Sequence, residues 1–312
     1  MADDVGFDEP ELSWSTQDFE QKIGFTGGRY TDTNAFFTFL VGLIMATIFF
    51  LLLEFVIGDS QEPRMGAADS FMVQFSSKFI DRGLGGYVMA AGIMLLFFWS
   101  CVILFVKGRK IKFQRTALAL NLVPQDPNFF LNTATAREAL LRIRGSVDDT
   151  SHFLLLNRIE VALSNLQNIG QISDVSSIVN AQASNDEDQV SSSYNLLTGF
   201  LWAIPVLGFI GTVLGLGDAI GSFGDTINAM KPGSGSEELK ESLKDVTGGL
   251  STAFDTTLLG LVGSILVQML LTFRKRQEFL LLDECNEYCQ TYVLSKLRLE
   301  KGGSGSRDRG GR

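Results

Sequence analysis

The sequence predicts an all-α integral membrane protein: four transmembrane helices, N and C termini in the cytoplasm, and a helical cytoplasmic insertion between spans 2 and 3. Three observations predict it. The 312 residues are 46% hydrophobic, include 25 Phe and have a positive mean hydropathy, a profile common in polytopic membrane proteins. Four stretches each supply the ~20 apolar residues that a bilayer crossing needs: 36–57, 86–106, 196–224 and 247–273. Lys and Arg, which accumulate in cytoplasmic loops, fall mostly on one side of these spans. Residues 1–35, 107–195 and 274–312 hold 2, 9 and 9 of them, against 3 each in the connections 58–85 and 225–246.

Residues 1–35 form an acidic cytoplasmic segment (Asp3, Asp4, Asp8, Glu9, Glu11, Asp18, Glu20). It lacks the basic lead and short apolar core of a cleavable signal, so the first span is expected to be an uncleaved anchor. Residues 36–106 carry transmembrane helices 1 and 2. The insertion, 107–195, opens on Lys107, Arg109, Lys110, Lys112 and Arg115, which hold the end of the second span in the cytoplasm. Within it, AREALLRIR and HFLLLNRIEVALSNLQNI repeat apolar residues every three or four positions, the helical period. NAQASNDEDQVSSSYN reads as a polar approach to the third span. Residues 196–273 hold helices 3 and 4, 274–300 a cytoplasmic C-terminal helix, and 301–312 a low-complexity Gly, Ser and Arg tail.

Several functions are excluded at this point. The net charge of −9 is spread over polar segments, so nothing suggests a nucleic-acid face. His152 is the sole histidine, and Cys285 and Cys289, four apart, lack the paired spacing of a structural zinc site, so no metal or other cofactor is expected. No nucleophile and base are paired in the pattern of a catalytic centre, so no catalytic residues are assigned and an enzyme is not expected.

The third and fourth spans carry the chemistry. Gly208, Gly211, Gly215 and Ala219 recur at three and four residues and share one side of the third helix, with Thr212 beside them. Each internal Gly costs about 1 kcal/mol of helix propensity relative to Ala, so the stripe implies a close neighbour. Pro205, near the cytoplasmic end, removes a backbone hydrogen bond, which a membrane helix tolerates where a neighbour or water satisfies the freed carbonyl. In the fourth helix Gly248, Thr252, Thr256, Gly260, Ser264 and Gln268 form an unbroken four-residue series. Thr212 lies 16 residues from position 196 and Thr257 lies 16 from position 273, so the two hydroxyls are expected at similar depth. Asp255 is the acidic residue well inside a span: such a charge marks an ion path, or else lies near the outer interface or pairs with a basic group of another subunit. Glu54 and Asp218 read as interfacial. Ordinary packing of a four-span protein accounts for the small-residue stripes equally well.

Taken together, AIPVLGFIGTVLGLGDAI (203–220) and GGLSTAFDTTLLGLVGSIL (248–266), and more loosely NRIEVALSNL leading through SSYN into the third span, resemble the MotA/TolQ/ExbB proton-channel family over roughly residues 150–275. The resemblance implies a stator of a rotary motor in a bacterial inner membrane. Its parts would be a homopentamer whose third and fourth helices line a pore, and a dimer of a single-span MotB, ExbD or TolR-like partner whose Asp takes up and releases the ion. It matches Thr212 and Thr257, with Thr256 beside them, to the family's polar pore positions, and Pro205 to the proline at the cytoplasmic entry of the third helix. The chain departs from the ExbB-like branch at Thr252, where that branch is acidic, and adds Asp255. The four-span layout favours a MotA-like branch. The output is open between flagellar rotation, outer-membrane energisation, gliding and phage defence. The coupling ion is expected to be the proton, with sodium as an alternative, and a non-conducting membrane scaffold is the competing class.

Overall fold

The computed structural model describes residues 12–59, 83–120, 123, 126, 129–166, 172–229 and 236–298. Residues 1–11, most of the connection 58–85 and the tail 301–312 lie outside the described residues. Among the described residues the chain is helical, and its β-type pairing is confined to two isolated bridges, Leu12 with Val147 and Leu131 with Leu297. The longer helices are α1 (Ala35–Asp59), α2 (Gly83–Ala119), α3 (Thr133–Ser146), α4 (Leu154–Asn165), α5 (Ile172–Ser192), α6 (Asn195–Ala229) and α7 (Ser236–Tyr288). Of these, α1, α2, α6 and α7 contain stretches long and apolar enough to cross a membrane, in agreement with the four predicted spans. At 1.5 Å per residue the 53 residues of α7 extend about 80 Å, far more than the ~30 Å of a bilayer core.

The described residues group into two compact units. The apolar one comprises Ala35–Val106 and Tyr194–Arg274, and within it α2 touches the other three long helices. Toward α1, a Cβ placed on Gly42 would come within 2.8 Å of the Trp99 backbone, and the Trp99 indole donates to the Thr38 hydroxyl at 3.1 Å. Leu53 and Met94 extend that contact. Toward α6 and α7, α2 contributes Ile93, which is fully buried with Ile204 and Val267. In lipid, apolar burial brings no gain over the surrounding acyl chains, so such a unit is held by close packing and interhelical hydrogen bonds. The outward residues accord with a lipid or subunit environment: Leu51, Leu52 and Phe55 of α1, and Trp202, Phe209, Phe254, Leu258, Ile265 and Phe273 of α6 and α7, are all exposed.

The second unit comprises residues 1–34, 107–193 and 275–312. Its centre is α4, on which Leu154, Leu155, Leu156, Ile159, Ala162 and Leu163 are buried. Asn132 caps α3 through a reciprocal pair with Thr135, which satisfies two otherwise open N–H groups of the first turn. The stretch 180–195, expected as a polar approach, lies instead largely within α5. Val175, Val179, Ala183, Asp186 and Val190 form its buried face at helical spacing. One member of that face is an acid, buried because the Arg158 side chain donates to its carboxylate at 2.6 Å, and this interruption hid the period.

Residues 12–34 are folded into the same unit as a strap. Trp14, 1% exposed, packs against Phe113, His152 and Phe153. The Asp148 carboxylate accepts the N–H groups of Trp14 and Ser15 at 2.9 and 3.0 Å. Lys110 is held by Glu20 and by Asp18 at 3.4 Å, Thr31 donates to Glu278, and the Asn157 amide donates to the Tyr30 hydroxyl at 2.7 Å. Lys107 adds a pair with Glu278 at 3.6 Å and donates to the Ser193 hydroxyl at 2.7 Å. Burial drives the thiols of Cys285 and Cys289 up to about 12 and 11, so both stay protonated and inert at neutral pH.

Candidate functional site

The site is the seam between α6 and α7. The two helices run antiparallel, and their meeting points step regularly: Leu201 opposite Ser264, Pro205 opposite Gly260, Gly208 opposite Thr257, Thr212 opposite Ala253. A Cβ on Gly208 would sit 2.9 Å from the Thr256 carbonyl oxygen, and one on Gly260 would sit 3.0 Å from that of Ile204. A Cβ on Gly211 would lie 2.7 Å from the Thr256 hydroxyl, and one on Gly215 3.2 Å from the Ala253 side chain. The backbones are therefore in near contact. The close neighbour of the stripe in this structure is α7 of the same chain. Sequence spacing puts the small residues on one side of the helix but does not say which neighbour they accommodate.

At the middle of the seam the Thr212 and Thr257 hydroxyls are hydrogen-bonded to each other. Thr257 is also within donating distance of the Gly208 carbonyl at 3.0 Å, and Thr212 of Gly208 at 3.2 Å and Ala253 at 3.4 Å. Two hydroxyls own two protons. If Thr212 donates to Thr257, the Thr257 proton goes to Gly208; if Thr257 donates to Thr212, the Thr212 proton goes to a carbonyl. In either arrangement both protons are used inside the seam, and three of the four hydroxyl lone pairs remain. The half-buried pair is thus a net acceptor, able to receive an acid O–H, a water or a cation.

Thr256 differs from its neighbour. It is fully buried, its hydroxyl donates to the Ala253 carbonyl at 2.8 Å, and its side chain fills the hollow at Gly211. Asp255 is half-buried and, by helical period, shares the face of Leu259, which packs with Leu53, Met94 and Ile93. At 100° per residue it points about 200° away from Thr257, so it and that hydroxyl occupy different faces of α7. Thr252 lies on α7, but its side chain is outside the described ones. Ser264 donates to the Leu201 carbonyl at 3.3 Å, a contact that sequence spacing did not reveal. Among the described residues no cluster of His, Cys, Asp or Glu could hold a metal ion.

This glycine-lined helix pair with a threonine couple at its centre lies inside a stretch that a known family shares. Residues 155–285 match the MotA/TolQ/ExbB proton channel family. The matched stretch is somewhat less than half of the chain and runs from α4 through α6 into α7; α1, α2 and the strap lie outside it. It contains the whole seam and bears out the resemblance seen in the sequence. No curated protein and no solved structure matched the chain. Four helices long and apolar enough to cross a membrane, together with the match to a membrane channel family over residues 155–285, support a multi-pass membrane protein.

Proposed function

We propose that the chain is the ion-channel subunit of a 5:2 rotary motor in a bacterial inner membrane, coupling proton flow to mechanical work through a single-span MotB, ExbD or TolR-like partner. Five copies would surround the partner dimer, with α6 and α7 facing it. The observation that carries this reading is the Thr212–Thr257 couple, a net acceptor in a helix pair that lies within the stretch matched to the proton-channel family. A partner carboxyl in a low-dielectric pore favours its neutral form, whose O–H needs an acceptor; the couple supplies one without carrying charge. Each elementary charge that crosses gains about 2.3 kcal/mol per 100 mV, while interhelical hydrogen bonds in membranes average ~0.6 kcal/mol. A hydroxyl acceptor therefore holds the acid too weakly to stop the cycle.

On this reading the second unit and both termini face the cytoplasm, supported by the twenty Lys and Arg of those segments against six in the connections 58–85 and 225–246. The test is to reconstitute the chain with the single-span product of the neighbouring gene and to measure proton flux. Thr212→Val combined with Thr257→Val should reduce flux at least tenfold; undiminished flux rejects the assignment. A second reading, sodium as the coupling ion, is favoured by the convergence of the two hydroxyls with the carbonyls of Gly208 and Ala253, because rings of neutral oxygens replace the hydration shell of alkali cations. Flux driven by a sodium gradient at constant pH separates the two. Absence of flux with either ion would favour the non-conducting scaffold.

A further inference from the structure

We propose that Ser264 is a positioning residue that fixes the register between α6 and α7, by supplying the hydrogen bond that Pro205 takes away. Proline has no N–H, so the carbonyl four residues earlier, that of Leu201, loses its helical donor. In a membrane such a group is costly unless another donor reaches it. The Ser264 hydroxyl does so from the opposite helix at 3.3 Å. The alternative open to a helical serine is to donate back to the carbonyl four residues earlier on its own helix, as Thr272 does to Gln268 at 2.8 Å. Ser264 donates across the seam instead.

The consequence is directional. Glycine contacts bring α6 and α7 together, with the Thr256 side chain seated at Gly211, and a directional hydrogen bond adds to that fit. Pro205 is the proline within α6, so one carbonyl of that helix is freed by a missing N–H, and Ser264 binds that one. Seven residues, about two turns, separate Ser264 from Thr257, which places both on the same side of α7. A bond at Leu201 therefore holds Thr257 opposite Gly208 and Thr212. The functional consequence rests on the proposed ion pathway; the register itself does not.

A double-mutant cycle on the full chain in detergent tests the bond. In the natural background Ser264→Ala should lower the folding equilibrium constant in an SDS titration about threefold, the typical size of one interhelical hydrogen bond, and Ser264→Thr should retain it. In a Pro205→Ala background residue 205 again donates to Leu201, and Ser264→Ala should have no effect. An equal loss in both backgrounds, or none in either, overturns the proposal. Register is read independently by oxidising a Thr212→Cys, Thr257→Cys variant and quantifying the 212–257 link by peptide mapping. Ser264→Ala should reduce the yield severalfold and Ser264→Thr should not; an unchanged yield overturns the register claim. Neither measurement needs ion flux, so a failed register and a failed ion pathway are told apart.

Discussion

Thr256 and Thr257 are adjacent in the sequence and alike in chemistry, yet the seam gives them different work. Thr257 shares its hydroxyl with Thr212 and the Gly208 carbonyl and keeps accessible lone pairs, whereas Thr256 is sealed against Gly211. Thr257→Val should therefore abolish most flux, while Thr256→Val, which preserves shape inside the seam, should leave flux within about twofold and lower stability by about 1 kcal/mol. Flux in proteoliposomes and unfolding in SDS read the two effects, and equal flux loss in both variants would contradict the distinction. Gly208→Ala separates packing from chemistry in another way. Its new methyl would meet the Thr256 carbonyl oxygen at 2.9 Å, a backbone atom that cannot rotate aside. Overpacking of this kind costs ~1–3 kcal/mol, and the loss should appear in the same unfolding titration. In the sequence, resemblance draws Thr256 and Thr257 toward a pore and depth in the span draws Asp255 toward an ion path, and neither argument says which face of α7 each takes. Their separation onto different faces of α7 depends on which helix packs where, and that is a tertiary fact.

Among the elements, the strap of residues 12–34 departs furthest from what composition suggested. The four spans were legible because about twenty apolar residues in a row have few other uses, and the helices α3 and α4 were legible from their period. The strap was not, since it has two single-turn helices, Trp14–Gln17 and Phe19–Lys22, and no period. Its anchors are scattered: Trp14, Asp18, Glu20, Tyr30 and Thr31 are all buried, but at no regular spacing. Lys110 joins two of them, and Lys110→Met would leave the carboxylates of Asp18 and Glu20 buried without a cation. Breaking a buried pair in this way costs on the order of 3–5 kcal/mol, so the strap should become protease-sensitive in that variant while the apolar helices stay protected. The same segment has an acid limit. Burial pushes the Asp148 carboxyl up, but the N–H groups of Trp14 and Ser15 and the nearby serine hydroxyls outweigh it and hold the group below its ordinary value. A lowered carboxyl stabilises the strap above the ordinary Asp pKa of ~3.9, and that contribution is lost as pH falls through the lower, folded-state value. At the alkaline end burial, helped by Asp186, pushes Tyr30 up to about 12, so its contribution is complete below pH ~10 and disappears as pH rises through 12. Hydrogen exchange of residues 12–34 should stay slow across the neutral range and quicken only at these two extremes; a transition within the neutral range would contradict this assignment.

At the scale of the whole molecule, the exposed apolar surface must be covered in two chemically different ways. Lipid suffices for α1, whose exposed Leu51, Leu52 and Phe55 surround a helix with no polar stripe. It does not suffice for the α6–α7 pair, where Phe209, Val213, Leu258 and Ile265 flank half-buried hydroxyls with unused lone pairs. Acyl chains offer no donor, and an acceptor left without one in hydrocarbon is costly. Protein neighbours or a partner's O–H remove that cost, so the α6–α7 surface should be the one covered by other chains. Native mass spectrometry of the detergent-extracted complex, prepared with the neighbouring single-span product, should therefore give five copies of this chain with two of the partner, and the chain alone should still assemble. A Cys introduced at Phe209 or Leu258 should be shielded from a water-soluble maleimide in the complex, whereas one at Leu52 should report a lipid environment with a spin label whose collisions with oxygen are frequent. A monodisperse monomer, or equal lipid exposure at all three positions, would leave the threonine couple facing acyl chains, and the channel reading would fail with it.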